Sequence, residues 1–224
     1  MTRLSVFIDA DDTLWENNIF FERAFERFAA YLNHSTLSPL EVRAVLDEIE
    51  HVNNRIHGYG SANFARNLRQ CFERLVERAA SATEADFIAQ IEHGLLHHPM
   101  ELLEGVEETL AYLNERHHLT LCTKGAPAEQ RAKLERSGLT AFFHHVEVVK
   151  EKDVALYERL GSSLSGAWMV GNSPKSDINP ALAAGFSAVY IPHPHTWHLE
   201  HEEVPHAHER LVVIDNFATL RTLF

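Results

Sequence analysis

Leu4 to Ile8 (LSVFI) is a short apolar run, largely of β-formers, that stops at Asp9, and it predicts a buried strand. From about Glu16 to His98 the apolar positions change period. Phe20, Phe21, Ala24, Phe25 and Phe28 recur at spacings of three and four. So do Val42, Val45, Leu46 and Ile49, then Phe64, Leu68, Phe72, Leu75 and Val76, then Phe87, Ile88 and Ile91. Breaks fall at Ser35–Pro39, Gly58-Tyr59-Gly60 and Ser81–Thr83. Ser38 before Pro39, with Glu41 three residues on, marks a helix start. Four consecutive helices are expected here, with no strand among them.

Beyond this block the two periods alternate. Helices are expected at Glu104–Arg116, Pro127–Arg136, Val154–Leu160 and Pro174–Ala184. Gly138 and Gly185 stop the second and fourth. Strands are expected at Leu119–Cys122, Val146–Val149, Ala167–Val170, Ala188–Ile191 and Leu211–Ile214, with a short closing helix at Phe217–Leu220. Strand-helix alternation argues for an α/β core: a parallel sheet with right-handed crossovers and helices on both faces. The all-helical block reads as an insertion after the first strand. The expected domains are 1–15 with 99–224 as the α/β core, and 16–98 as a helical cap.

The chain has 224 residues, 45% of them hydrophobic, enough for one core and a smaller satellite. Its formal net charge of −12 disfavours a nucleic-acid partner, because an acidic surface repels phosphate backbones. No run approaches the roughly 18 apolar residues of a membrane span. Met1 to Asp9 reads as a strand that starts at once, without a basic leader, and Cys71 and Cys122 are too few for a disulfide framework. These features point to a cytoplasmic protein with no membrane partner. Of the 16 histidines, His193, His195, His198, His201, His206 and His208 crowd one segment. Their mixed spacings do not match a zinc pattern, so a solvated run is expected.

In an open parallel sheet, ligands bind beyond the carboxyl ends of the strands. The residues expected there are chemically selective. Asp9-Ala10-Asp11-Asp12-Thr13 follows strand one, Thr123-Lys124-Gly125 strand two, Lys150 and Lys152 strand three, and Gly171-Asn172-Ser173 with Asp177 strand four. Carboxylates, a hydroxyl, an amide and an ammonium brought to one place suit Mg²⁺ and phosphate together.

These residues resemble the four motifs of the haloacid dehalogenase superfamily. FIDADDTLW is similar to the first, TKG at Thr123–Gly125 to the second, Lys152 in KEKDVALYERL to the third, and VGNSPKSD at Val170–Asp177 to the fourth. The resemblance runs over nearly the whole chain and implies a Rossmann-like core with a helical cap. It implies a Mg²⁺-dependent phosphatase acting on a small phosphorylated metabolite. Asp9 would be the covalent nucleophile, Asp11 the general acid and base, Thr123 a phosphate hydrogen-bond donor, and Lys152 the charge that stabilises the transferring group. Asp9, the Asp11 backbone carbonyl and the fourth motif, through Asn172 or Asp177, would hold the metal. In related caps the inter-helix loop selects the substrate. That makes Tyr59 and Arg66, with Arg55 and His57, candidate specificity residues beside Lys124. The plain alternatives are an inter-helix turn with exposed arginines and a loop charge at Lys124.

Two departures stand out. Asn172 occupies a position where many members carry Asp, and an amide oxygen ligates Mg²⁺ without bringing charge. Asp12 stands where glycine is frequent. Lys150 competes with Lys152 for the third-motif role. A C–X bond hydrolase on the same scaffold is argued against by Asp11, which such enzymes generally lack. A phosphotransferase or mutase, and a non-catalytic regulatory protein, remain as alternative functions.

Overall fold

The computed structural model describes residues 3–164 and 166–224; Met1 and Thr2, where the expected first strand leads in, lie outside them. The chain divides into two compact units, residues 1–18 with 100–224, and residues 19–99.

The first unit is a six-stranded parallel sheet in the order β3-β2-β1-β4-β5-β6. Its strands are β1 (Ser5–Ile8), β2 (His118–Lys124), β3 (His145–Val149), β4 (Ala167–Gly171), β5 (Ser187–Tyr190) and β6 (Leu211–Val213). β1 lies inside the sheet, with Ser5 opposite His118 on one side and Ala167 on the other. The chain runs outward from β1 in both directions. The crevice at its carboxyl end is therefore the topological switch point where ligands gather. Side chains alternate across the pleat. Val6 and Ile8 join Leu110, Leu113, Leu119, Leu121, Val170 and Val189 on one face. Phe7 joins Cys122, Tyr157, Met169 and Phe186 on the other. Each such side chain contributes about 1.5–3 kcal/mol on leaving water, so β1 is fixed from both faces.

The second unit is helical: α1 (Asn18–Leu32, entered from the first unit), α2 (Pro39–His57), α3 (Ser61–Val76) and α4 (Ala82–Leu96). Its core gathers Phe25, Phe28, Leu46, Phe64, Leu68 and Ile91. α2 starts at the expected capping box of Ser38 and Glu41, and α4 at a second, Ser81 with Glu84.

Among the described residues, the α-helices of the first unit are α5 (Val106–Arg116), α6 (Pro127–Ser137), α7 (Val154–Gly161), α8 (Asn179–Ala183) and α9 (Leu220–Leu223). The single helix expected over Pro174–Ala184 is instead a π turn, Pro174–Ile178, followed by α8. The reason is Pro180. It has no N–H to donate to the Ser176 carbonyl four residues earlier, so a regular helix fails there. The Tyr157 hydroxyl donates to that carbonyl instead, at 2.9 Å.

Candidate active site

β1, β3 and β4 end close enough to bring one lysine between two carboxylates. Lys152, just before α7, donates to Asp9 Oδ1 at 2.5 Å and to Asp177 Oδ1 at 2.7 Å. All three are buried. Lys150 is exposed, so the third-strand lysine that reaches Asp9 is Lys152. Burial pushes the Asp9 carboxyl up to about 7, the Asp177 charge adds to this, and Lys152 only partly offsets it. Burial also works against the Lys152 ammonium, yet Asp177 and Asp9 outweigh it and hold Lys152 well above its ordinary value. Asp177 is fixed further by the Ser173 N–H, which donates to Oδ2 at 3.0 Å. A Cβ on Gly171 would collide with this carboxylate, so the position demands glycine.

The other Asp9 oxygen faces the fourth motif. The Thr13 hydroxyl lies 3.1 Å from Asp9 Oδ2 and 3.2 Å from Asn172 Oδ1. One hydroxyl proton thus serves two acceptor oxygens. The Asn172 Nδ2 donates away from this point, to Thr196 Oγ1 at 2.8 Å. Thr123 is buried at the end of β2, opposite Val148.

Asp11 is held apart from this group. Trp15 Nε1 donates to it at 2.8 Å, Gln130 Nε2 at 2.9 Å, and Lys133 to both carboxylate oxygens at 3.1 Å. Burial raises this carboxyl, but the Lys133 charge and the three donors outweigh it and hold Asp11 below its ordinary value. Gly125, at φ 151°, leaves the space that the Gln130 amide fills. Asp12 is suited to its position by backbone conformation and by hydrogen bonding. Its φ is 60°, the left-handed region that favours glycine, and Asp is among the few other residues that settle there. Its Oδ1 accepts the Asn17 and Asn18 N–H groups at 2.9 and 3.0 Å. Burial pushes its carboxyl up to about 8, with the Asp11 charge adding to the rise.

Lys124 pairs with Glu200 at 2.6 Å and donates to Ser176 Oγ at 3.0 Å. Glu200 in turn accepts from Ser173 Oγ at 2.6 Å and from Ser176 Oγ. This buried network ties the end of β2 to the π turn. The His-rich segment is therefore more than a solvated run. His195, His198, His201 and His206 are exposed, but the same stretch delivers Thr196 and Glu200 to the interior. His193 also turns in, 3.4 Å from Glu16, and Asp12, Glu16 and His193 place ligand-type atoms within 4.8 Å of one another.

Tyr59 and Arg66 belong to the helical unit. Tyr59 lies in the turn between α2 and α3, where the Asn63 side chain donates to the Gly58 carbonyl at 2.7 Å. Arg66 is exposed on α3 and donates to His57 Nε2 at 3.0 Å.

Gln130, Lys133, Thr196 and Glu200 were not expected from the sequence. Gln130 and Lys133 are spaced three apart on a polar helix, the only trace they leave in the sequence.

Residues 5–185 match the family described as haloacid dehalogenase-like hydrolase. The chain is similar to a haloacid dehalogenase-like family hydrolase from Xanthomonas campestris at 30% identity, over 99% of this chain and 90% of that one, with a TM-score of 0.86. It shares its fold with a predicted phosphoglycolate phosphatase from Haemophilus somnus at 16% identity, covering 100% and 99% of the two chains, TM-score 0.66. It also shares it with the L-2-haloacid dehalogenase from Xanthobacter autotrophicus at 16% identity, covering 99% and 98%, TM-score 0.63. No curated protein matches the chain significantly. Among the described residues, no helix is long and apolar enough to cross a membrane.

Proposed function

Because the chain belongs to the haloacid dehalogenase-like hydrolases, we propose that it is a Mg²⁺-dependent phosphatase that hydrolyses a small phosphorylated metabolite through an aspartyl-phosphate on Asp9. The observation that carries this reading is the second carboxylate, Asp11. It is held by Lys133, Gln130 and Trp15 independently of the Asp9–Lys152–Asp177 group. A halide leaves carbon without needing a proton, whereas an alcohol leaving phosphorus needs one. A hydrolase of phosphate monoesters therefore uses two carboxylates where a dehalogenase uses one.

In the first half-reaction an ionised Asp9 oxygen attacks phosphorus. The P–O bond to the alcohol breaks, and the alcohol oxygen takes its proton from Asp11. In the second, water attacks the phosphoenzyme, its proton returns to Asp11, and the Asp9 carboxylate leaves. The Lys133 charge and the donors around Asp11 favour its carboxylate form, which suits the second half. The first requires Asp11 to take up a proton and loosen from Lys133 as substrate arrives. Lys152 places its charge beside the transferring group, and Thr123 is the phosphate hydrogen-bond donor.

The donor set fits Mg²⁺. Asp9 and Asn172 offer hard oxygen ligands against the Thr13 hydroxyl, which has too few protons for both. Asp9 and Asp177 share one lysine, so negative charge is in excess. Asp9, the Asp11 backbone carbonyl and Asn172 would hold the ion, with Asp177 as a further carboxylate. Bound Mg²⁺ would offset the repulsion between carboxylate and phosphate and polarise the phosphoryl oxygens. Lys124, committed to Glu200 and Ser176, braces the site. Tyr59 and Arg66 are the residues proposed to select the substrate.

The test is phosphate release from p-nitrophenyl phosphate and a panel of phosphorylated metabolites, with Mg²⁺, with EDTA, and with Asp9→Asn, beside halide release from 2-chloropropionate. Metal-dependent phosphate release lost in D9N is expected. Halide release without phosphate release would overturn the reading.

A further inference from the structure

A neutral amide can serve a cation with only one of its ends. The carbonyl oxygen must face the ion, and the NH₂ must then find an acceptor elsewhere. Asn172 is buried, so that acceptor has to come from its immediate surroundings. The Thr196 Oγ1 does, at 2.8 Å from Nδ2. The Thr196 hydroxyl lies 3.5 Å from the Asn172 backbone carbonyl, to which its own proton goes, leaving a lone pair for the amide. Thr196 is itself held. Its N–H donates to the His193 carbonyl at 3.1 Å, and its carbonyl lies 3.1 Å from His201 Nε2. On the opposite side, Asn172 Oδ1 lies 3.2 Å from the Thr13 hydroxyl, which also lies 3.1 Å from Asp9 Oδ2.

We propose that Thr196 is the positioning residue that lets Asn172 present its carbonyl oxygen to the cation site beside Asp9, a role that rests on the reading of Asn172 as a ligand. Without a hydroxyl at position 196, the ligating orientation would leave a buried NH₂ group with no acceptor. The amide would turn over, and its NH₂ would face the ion. A carboxylate at position 172 has two equivalent oxygens and needs no such acceptor. Thr196 therefore matters only as long as residue 172 is an amide.

The experiment is calorimetric titration of the full chain with Mg²⁺ alone, repeated with Mn²⁺ read by electron paramagnetic resonance. Thr196→Val is expected to raise the Mg²⁺ Kd roughly tenfold, and Thr196→Ser to leave it within about twofold. In an Asn172→Asp background, adding T196V is expected to change the Kd by less than about twofold. Binding by that double variant also shows that T196V folds. Asn172→Ala separates the ligand role of Asn172 from the positioning role of Thr196. If N172A binds Mg²⁺ as well as the unaltered chain, the ligand reading fails and Thr196 loses its role with it. If N172A weakens binding but T196V does not, or if T196V costs as much in the N172D background as in the unaltered chain, the positioning role is overturned while the ligand reading stands.

Discussion

Lys133 reaches both carboxylate oxygens of Asp11 at 3.1 Å, joining α6 to the turn after β1. Its ammonium is almost fully buried, and it also donates to Asn17 at 2.7 Å. Removing one partner of a buried pair strands the other. Lys133→Met is expected to destabilise the protein by about 3 kcal/mol, near the low end for such pairs because Gln130 and Trp15 remain on Asp11. Adding Asp11→Asn removes the stranded charge, so the double variant is expected to lose less than the sum of the singles in urea melts. Strict additivity would show that the pair contributes nothing.

Tyr157 supplies the hydrogen bond that Pro180 withholds from the Ser176 carbonyl. Tyr157→Phe is expected to cost about 1–3 kcal/mol, the penalty of an unpaired buried acceptor. Pro180→Ala restores an N–H four residues after Ser176. It should recover part of the loss in the Y157F background and none in the unaltered chain. Equal effects of P180A in both backgrounds would remove the link.

Stability should depend on pH with a defined sign. Asp9 and Asp12 rise on folding from an ordinary value of 3.8 to about 7 and about 8. The folded chain thus binds these protons more tightly than the unfolded one. Their contribution is fully present below about pH 4 and is lost as pH rises through about 8, at up to about 1.4 kcal/mol per pH unit for each group. The melting temperature, measured without divalent cation, should fall across this window. Asp12→Asn keeps an acceptor for the Asn17 and Asn18 amides and tolerates the positive φ, so it should flatten the slope. An unchanged slope would refute the assignment to Asp12.

Cys71 and Cys122 are buried, and burial pushes each thiol up to about 12. The thiolate is the reactive form. At pH 8 the folded chain is expected to show no fast reaction with Ellman's reagent, and the denatured chain to release two equivalents. A fast-reacting thiol in the native protein would contradict the packing of β2 or α3.

The sequence made the sheet and much of the site legible for a physical reason. β1 and β4 are continuous apolar runs that end abruptly at Asp9 and at Gly171-Asn172, and a strand end fixes where the next side chains go. Lys152 was legible in the same way, and its partner Asp177 lies five residues beyond Asn172. Gln130 and Lys133 were not. A lysine on an amphipathic helix looks the same whether its ammonium meets water or a carboxylate more than a hundred residues away. Thr196 and Glu200 were hidden among histidines, where composition dominates the reading. The π turn escaped because proline is at home in the first turn of a helix. Pro180 fits that pattern at the start of α8 while breaking the longer helix that the periodicity predicts.

The interior position of β1 also sets the order of events at the ribosome. Ser5 pairs with His118 and Ala167, and Asp9 waits for Lys152 and Asp177. Asp9, the proposed nucleophile, is made well before Lys152 and Asp177 and acquires its electrostatic surroundings only once both have been synthesised. Contacts this distant in sequence form slowly, because the intervening chain must close first. The helical unit of residues 19–99 has its own apolar core and no such dependence, so it can condense while β1 is still unpaired. A nascent chain that stops short of Lys152 is therefore expected to carry folded helices while Asp9 still lacks the charged partners that surround it in the folded protein.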